Sequence, residues 1–192
     1  MASIESALKK LKTKKVMKAS ELERYISTRT QLRRMVEAGQ LSALGSGLYA
    51  HPSMDPFAAS LIATARYYPK AVISNITALV FHGLSDERVD RIDVDIPRNS
   101  SIRNKLICAH RVSDQNIIGA ILPIYHGQKI RIYCKERALC DAYRMDPDGP
   151  LFLKAMKRYV KAGEVDAERI AKYDKALSTN VLRSLRQELA DE

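Results

Sequence analysis

The sequence predicts an α+β fold with a basic, mostly helical N-terminal part, a mixed α/β middle and a helical C-terminal end. Three observations predict it. Apolar residues recur at helical spacing up to Gly39 and are followed by a hairpin pattern with a Gly-Ser-Gly tip. Apolar and charged residues alternate over Ile92–Ile96, as in a half-buried strand, and helical spacing returns from Lys135 onward. A proline-flanked hinge at residues 52–56 divides the chain into predicted domains 1–52 and 53–192.

Positive charge is concentrated at the N-terminus. The chain has 32 Lys and Arg against 22 Asp and Glu, a formal net charge of +10. Residues 1–52 hold ten of the basic residues and four of the acidic ones, so +6 of this charge lies in the first quarter of the chain. This charge favours a polyanionic partner or surface.

The cysteine pattern and the hydropathy exclude several classes of protein. Cys108, Cys134 and Cys140 are odd in number and have no C-x-x-C spacing, so neither a disulfide framework nor a zinc motif is predicted. No basic-then-apolar leader follows Met1, and no apolar run approaches the roughly 20 residues of a membrane-spanning helix. We therefore expect a soluble cytoplasmic protein with no cofactor, no bound metal and no membrane partner.

Two short helices are predicted at the start of the chain. The first begins after Ser3, an acceptable N-cap, and carries an apolar stripe opposite a row of lysines. That stripe is Ile4, Ala7, Leu8 and Leu11. The second begins at or near Ser20 within the stretch Val16–Glu23 and carries Leu22, Tyr25 and Ile26.

A third helix is predicted from a capping box. In Thr28-x-x-Gln31 the hydroxyl accepts from an unpaired amide and the glutamine reaches back to the cap, while Gly39 ends the helix. On a 3.6-residue period, the apolar face holds Leu32, Met35 and Val36. The opposite face holds Thr30, Arg33, Arg34 and Glu37, with Gln31 at its edge.

The residues after the third helix predict a hairpin over Leu41–Ala50 with its tip at Gly45-Ser46-Gly47. A basic helix that runs into such a hairpin predicts an N-terminal winged helix-turn-helix, because the helix enters a DNA groove and the hairpin touches the backbone beside it. Arginine and glutamine can each form paired bonds to a base edge, and lysines hold phosphates. The predicted DNA contacts are Lys14, Lys15, Lys18, Thr30, Gln31, Arg33, Arg34, Ser42 and Ser46. A solvated basic face is the alternative.

The second domain alternates short elements before its helical end. Asp55-Pro56 starts a helix that runs to Tyr68, and Ser74 starts another that ends at His82. Strands are predicted at Ala71–Ile73, Ile92–Ile96, Lys105–His110, Ile121–His126 and Lys129–Tyr133. Helices are predicted near Lys135–Arg144, Leu151–Ala162, Ala167–Leu177 and Val181–Leu189.

No enzyme is predicted. Asp93 and Asp95 on one strand are similar to the Mg²⁺-binding acids of nucleotidyltransferases, but such sites have a Gly-Ser phosphate turn shortly before them, and the Gly45-Ser46 pair lies in the hairpin. A restriction-type nuclease core of an acid followed by acid-x-Lys is also missing after Asp95. A polar strand face is the favoured interpretation, and a metal-dependent nucleotidyltransferase or nuclease using Asp93 and Asp95 is the alternative.

The other chemically capable residues are assigned to packing. His82 is expected to interact with the end of its helix, and His110 and His126 have no neighbouring acid and nucleophile pattern. Cys134 and Cys140 are expected to be buried as small apolar residues. The first-turn charges Lys135-Glu-Arg137 could instead contact nucleic acid or a partner protein.

Four stretches in this order resemble a known family. They are Thr30-Gln-Leu-Arg-Arg-Met-Val-Glu-Ala-Gly-Gln-Leu41 with Gly47-Leu-Tyr-Ala50, Ile73-Ser-Asn-Ile-Thr-Ala-Leu-Val-Phe-His-Gly-Leu84, Ile92-Asp-Val-Asp-Ile-Pro-Arg98 and Cys134-Lys-Glu-Arg-Ala-Leu-Cys-Asp-Ala-Tyr143. Over nearly its whole length, the chain resembles the AbiEi antitoxin family of bacterial abortive-infection, or type IV, toxin-antitoxin systems.

The resemblance implies an N-terminal winged helix that binds inverted repeats in the promoter of its own operon, and a C-terminal domain needed for antitoxicity. It also implies a neighbouring gene for a nucleotidyltransferase-like toxin that is countered without a stable complex. By matching position, Arg29, Gln31, Arg33 and Arg34 would carry the helix contacts and Gly45–Gly47 the wing contacts.

One departure from the family concerns the hairpin. Family members often have a basic residue or two after the leucine, whereas Ser42 and Ala43 stand here, so more of the phosphate grip is expected from Lys14, Lys15 and Lys18. Two further alternatives stay open: a stand-alone regulator without a toxin, and a winged helix that binds protein instead of DNA.

Overall fold

The computed structural model describes residues 4–26, 28–147 and 149–191, which form an α+β chain that divides into two compact units. The helices are α1 (Ile4–Lys14), α2 (Ala19–Leu22), α3 (Arg29–Glu37), α4 (Pro56–Tyr67), α5 (Asn75–Phe81), α6 (Lys135–Met145), α7 (Pro150–Lys161), α8 (Ala167–Leu177) and α9 (Val181–Asp191). The strands are β1 (Val16–Lys18), β2 (Ser42–Gly45), β3 (Leu48–Ala50), β4 (Val72–Ile73), β5 (Ile92–Pro97), β6 (Ile107–Val112), β7 (Ala120–Ile121), β8 (Ile124–Tyr125), β9 (Gln128–Lys129) and β10 (Ile132–Tyr133).

The first unit contains a three-stranded antiparallel sheet in the order β1-β3-β2. The hairpin β2–β3 was predicted, but β1 was not: Val16–Lys18 pairs with Leu48–Ala50 where the sequence suggested the approach to a helix. The second helix is correspondingly short, and Tyr25 and Ile26 lie beyond its end at Leu22. Ile26 nevertheless packs in the core.

The core of the first unit contains side chains from one face of each of the first three helices. Its buried residues are Ala7, Leu11, Met17, Leu22, Ile26, Leu32, Met35 and Leu41. The predicted start of α3 is confirmed, because the Thr28 hydroxyl accepts a 3.2 Å hydrogen bond from the Gln31 amide. Ser3, the predicted cap of α1, lies outside the described residues.

The hairpin turn has a left-handed backbone. Ser46 and Gly47 have φ of 50° and 72°, following Gly45 at 94°. Positive φ at both central residues is the geometry of a two-residue turn whose twist matches its strands, and glycine adopts it without strain. The Gly-Ser-Gly sequence therefore determines how the tip projects.

The first unit extends past the boundary predicted at residue 52. Of the described residues, it comprises 4–26, 28–69, 103–106 and 124–130. Helix α4 begins as predicted, with the Asp55 carboxylate accepting from the Ala58 amide at 2.8 Å. The α4 helix packs against β1, β2 and β9. The expected strand Ile121–His126 is divided, and its second half forms the small β8–β9 hairpin of this unit.

The second unit has a five-stranded mixed sheet in the order β6-β5-β4-β10-β7. Strands β5 and β6 are parallel, with Asp93 opposite Cys108 and Asp95 opposite His110. Strand β6 starts two residues later than predicted, at Ile107, and the expected strand Lys129–Tyr133 is split into β9 and β10.

The helical end of the second unit agrees with the sequence prediction. Helices α6 to α9 begin and end within two residues of their predicted limits. Helix α6 packs against α5, α7, α8 and α9, so its buried face is at the centre of this unit. Within the described residues, every helix is too short or too polar to cross a membrane.

Candidate nucleic-acid interface

The outer face of α3 consists of polar and basic side chains. Thr30, Arg33 and Arg34 are exposed, Gln31 is half-buried, and the opposite residues Leu32 and Met35 are buried in the core. This is the division that the sequence predicts. The helix therefore presents its two central arginines to solvent while its apolar side holds it on the unit.

Two of the arginines have acidic neighbours on the surface. Arg33 Nε lies 2.9 Å from Glu37 Oε1 one turn later, and Arg29 Nε lies 3.5 Å from Glu23 Oε1. Their side chains are 82% and 90% exposed, so water screens both pairs and each contributes little to stability. Either arginine can therefore exchange its carboxylate for a phosphate at small cost.

Lys14 is more firmly engaged than the sequence suggested. Its Nζ lies 3.0 Å from Glu21 Oε1, and Arg66 Nη2 approaches the same oxygen at 3.5 Å. The Tyr67 hydroxyl donates to the other oxygen of Glu21. Lys14 therefore neutralises a partly buried carboxylate, which leaves it less available for a phosphate than the sequence suggested.

The Glu21 carboxyl is held in its charged form. Burial raises its pKa, but hydrogen bonds from the Lys18 amide, the Tyr67 hydroxyl and Lys14 outweigh it and lower the pKa to about 2. The carboxylate ties α2 to α1 and α4 within the first unit. Its function is to position the elements beside the exposed lysines.

Lys15 and Lys18 remain accessible. Lys15 is half-exposed and ends α1 in the left-handed conformation, with φ of 67°. Lys18 is exposed, and its Nζ lies 4.5 Å from the centre of the Tyr67 ring. Both lysines can therefore still meet a phosphate.

The tip of the hairpin has a basic neighbour that the sequence did not reveal. The Ser46 hydroxyl, a predicted DNA contact, accepts a 3.0 Å hydrogen bond from the Lys105 amide. One lone pair of this hydroxyl is therefore already used within the protein. Arg103 and Lys105 are both exposed in this segment of the first unit. Ser42 is half-buried in β2. The positive charge missing from the hairpin itself is therefore supplied from more than fifty residues away.

Two of the three charged residues in the first turn of α6, Glu136 and Arg137, are buried, contrary to the suggestion that this turn contacts nucleic acid or a partner protein. Lys135 is partly exposed and pairs with Glu164. Arg137 is fully buried, its Nη1 contacts Asp141, and its Nη2 lies 3.9 Å from Asp95 Oδ2. The Tyr133 hydroxyl donates to Asp95 Oδ2 at 3.0 Å. Burial raises the pKa of Asp141 to about 6 against the opposing effect of Arg137. Asp95 thus belongs to a structural ion network and does not share a ligand position with Asp93.

Asp93 has a different set of neighbours. Its Oδ1 lies 2.8 Å from His110 Nε2, which corrects the expectation that His110 has no acid beside it. The hydrogen bond with Asp93 raises the pKa of His110 above its usual value. Cys108 lies on the same side, on the adjacent strand.

The other histidine and cysteine predictions concern packing. His82 is the C-cap residue of α5 and donates from Nε2 to the Tyr133 carbonyl at 2.7 Å; burial lowers its pKa. Cys134 and Cys140 are buried, as predicted, and burial raises the pKa of each thiol. His126 is exposed in the turn between β8 and β9.

No family model matches this chain, and no curated protein matches it.

Proposed function

We propose that the first unit is a winged-helix DNA-binding domain and that the protein is the antitoxin and transcriptional autorepressor of a type IV toxin-antitoxin operon. The observation that carries the DNA-binding part is the exposed α3 face of Thr30, Arg33 and Arg34 beside a hairpin with a left-handed tip. Helix α3 is the recognition helix, and β2–β3 is the wing.

The order of elements supports this assignment. Helix, strand, two helices and a two-stranded hairpin follow one another, and the strand β1 pairs with the hairpin to complete a small sheet. A recognition helix reads bases through its exposed side chains, while positions around it hold the sugar-phosphate backbone. Arg33, Arg34, Thr30 and Gln31 read bases in this proposal, and Arg29 lies at the N-terminal end of the same helix.

The phosphate grip comes from two places. Lys15 and Lys18 lie at β1, and Arg103 and Lys105 lie at the wing tip. Since Ser42 and Ala43 bring no charge to the wing, Arg103 and Lys105 take that role, and Ser42 and Ser46 offer neutral contacts. Lys14 acts through Glu21 and not on the DNA directly.

The antitoxin role is proposed from the order of the four motifs that resemble the AbiEi family. The second unit then serves antitoxicity, and the functional partner is a nucleotidyltransferase-like toxin encoded next to this gene. Repression of the shared promoter takes place in the cytoplasm, at inverted repeats that two copies of α3 can occupy.

Binding of the full-length protein to its own promoter tests the proposal. Fluorescence anisotropy can compare a labelled promoter duplex with a shuffled duplex of the same composition from about 50 to 200 mM salt. The comparison distinguishes sequence-specific binding from non-specific electrostatic binding. We expect tighter binding to the promoter by about a thousandfold or more and a steep salt dependence. Equal affinity for both duplexes at every salt concentration would contradict the repressor role.

Co-expression with the neighbouring gene tests the antitoxin part separately. We expect that gene to arrest growth when expressed alone and this chain to relieve the arrest. A promoter-binding protein whose neighbour is harmless would be a stand-alone regulator.

A further inference from the structure

Three different metal-ligating side chains meet on one face of the sheet in the second unit. Asp93 lies on β5 directly opposite Cys108 on the parallel strand β6, and His110 follows two residues after Cys108. Because side chains alternate along a strand, Cys108 and His110 point to the same face. Their position is fixed by the strand register and does not depend on a loop.

The donor atoms are close enough for a single ion. One oxygen of Asp93, the Cys108 sulfur and one His110 nitrogen all lie within 4.8 Å of one another. Bond lengths of about 2.0 to 2.3 Å in a tetrahedral zinc site place ligand atoms roughly 3.3 to 3.6 Å apart. To reach that spacing, Asp93 Oδ1 and His110 Nε2 must move apart from 2.8 Å, and a pair at the 4.8 Å limit must approach by about 1.2 Å.

The carboxylate is already oriented. Thr77 on α5 donates from Oγ1 to Asp93 Oδ2 at 3.2 Å and accepts from the Asp93 amide at 2.9 Å. One oxygen of Asp93 is thereby held by a neighbouring side chain while the other faces His110. Side chains that hydrogen-bond to a metal ligand in this way fix its orientation, and removing them weakens metal binding.

Charge and access also suit a cation. The Asp93 carboxylate lies within the site, with Oδ1 2.8 Å from His110 Nε2, and gives the site negative charge. The His110 side chain is 40% exposed and that of Asp93 18%, so an ion can enter from solvent. The open side leaves room for water.

We propose that Asp93, Cys108 and His110 bind one zinc ion, with a water molecule as the fourth ligand. Oxygen, sulfur and nitrogen donors together suit this borderline metal, whereas Mg²⁺ and Ca²⁺ prefer oxygen alone. The site is independent of the proposed DNA-binding function, since all three ligands lie in the second unit.

Metal titration of the full-length, metal-free protein tests the site. Cobalt(II) serves as the spectroscopic probe, because a cobalt–thiolate bond gives a charge-transfer band that carboxylate and imidazole do not give. We expect this band to saturate at one ion per chain, to vanish in Cys108→Ser, and to be displaced by one equivalent of zinc. His126→Asn, which removes an exposed histidine elsewhere, should leave it unchanged. A wild-type protein without the band, or a band that survives in Cys108→Ser, would overturn the proposal.

Thr77→Val tests the orientation of the carboxylate by a nearly isosteric change. We expect it to weaken zinc affinity by about tenfold to a hundredfold, measured by competition with a chelating dye, while the cobalt band keeps its shape when saturated. Thermal melting of the metal-free variant checks that the unit still folds. Unchanged zinc affinity in a folded Thr77→Val protein would contradict the role of Thr77 in orienting the Asp93 carboxylate.

Discussion

Replacing Arg34 is the sharpest test of α3 as a recognition helix. Arg34 is exposed near the middle of the helix, whereas its neighbour Arg33 forms an ion pair with Glu37. A base contact is worth about 1 to 3 kcal/mol of discrimination. Since 1.4 kcal/mol corresponds to a tenfold change, Arg34→Ala should weaken promoter binding by roughly 5-fold to 150-fold. Its effect on a shuffled duplex should be much smaller.

Two matched variants separate base reading from charge. Arg34→Lys keeps the positive charge but loses the planar fork that bonds two acceptors of guanine, so it should lose nearly as much specificity as Arg34→Ala. Lys12→Ala removes the same charge from the exposed side of α1 and should change both duplexes little. Anisotropy titrations on both duplexes measure each variant, and circular dichroism confirms folding.

The salt dependence of binding distinguishes a phosphate contact of Arg34 from a base contact. If Arg34 holds a phosphate, affinity for both duplexes falls together and the slope of log K against log salt becomes shallower by about 0.9. Wild-type affinity of Arg34→Ala for both duplexes at every salt concentration would refute the assignment of this face to DNA.

Three further substitutions probe the rest of the molecule. Lys105→Ala should reduce the salt slope by about 0.9 and leave the promoter preference intact in the same titrations; a changed preference would place Lys105 at a base. Glu21→Gln should lower the free energy of urea unfolding at pH 7 by about 1 to 2 kcal/mol, allowing for the partial exposure of Glu21. Because the folded-state pKa of Glu21 is lowered to about 2, the difference from the wild type should shrink as the pH falls from about 4.5 towards 2. A difference that stays constant over this pH range would contradict the prediction. Arg137→Met should cost about 3 to 5 kcal/mol of unfolding free energy by leaving Asp95 and Asp141 without their cation, and adding Asp141→Leu should restore part of it. Equal stability of the single and double variants would deny that coupling.

The parts of the fold that local signals determine could be predicted from the sequence. Thr28 caps α3 through a bond to a residue three positions later, and Gly39 ends it with φ of 69°. Asp55 starts α4 in the same way. The β2–β3 turn follows from Gly45-Ser46-Gly47 alone. In each case both partners of the decisive interaction lie within a few residues, so the sequence shows them together.

The parts that depend on distant pairing could not be predicted. Strand β1 has only three residues, too few for an alternating pattern, and it exists because Leu48–Ala50 pairs with it. Lys105 reaches the wing tip across 59 positions in sequence. His110 meets Asp93 only because β5 and β6 are adjacent and parallel, a neighbour relation that the spacing of the two residues does not encode. The alternation did show that Asp93 and Asp95 share a face of their strand.

The contrast between those two aspartates shows why a motif alone does not define chemistry. Asp95 faces a fully buried arginine and a tyrosine hydroxyl, so its charge is used inside the unit and is costly to disturb. Asp93, two residues earlier on the same strand, faces a half-exposed histidine and a thiol, with its second oxygen fixed by Thr77. A carboxylate whose counter-charge is a permanently charged guanidinium has no reason to take a metal ion. One whose neighbours are an imidazole and a thiol supplies, together with them, three of the four ligands of the proposed zinc site. The different roles of the two aspartates, structural for Asp95 and metal-binding for Asp93 in our proposal, therefore follow from the side chains on the neighbouring strand and helix and not from the residue type.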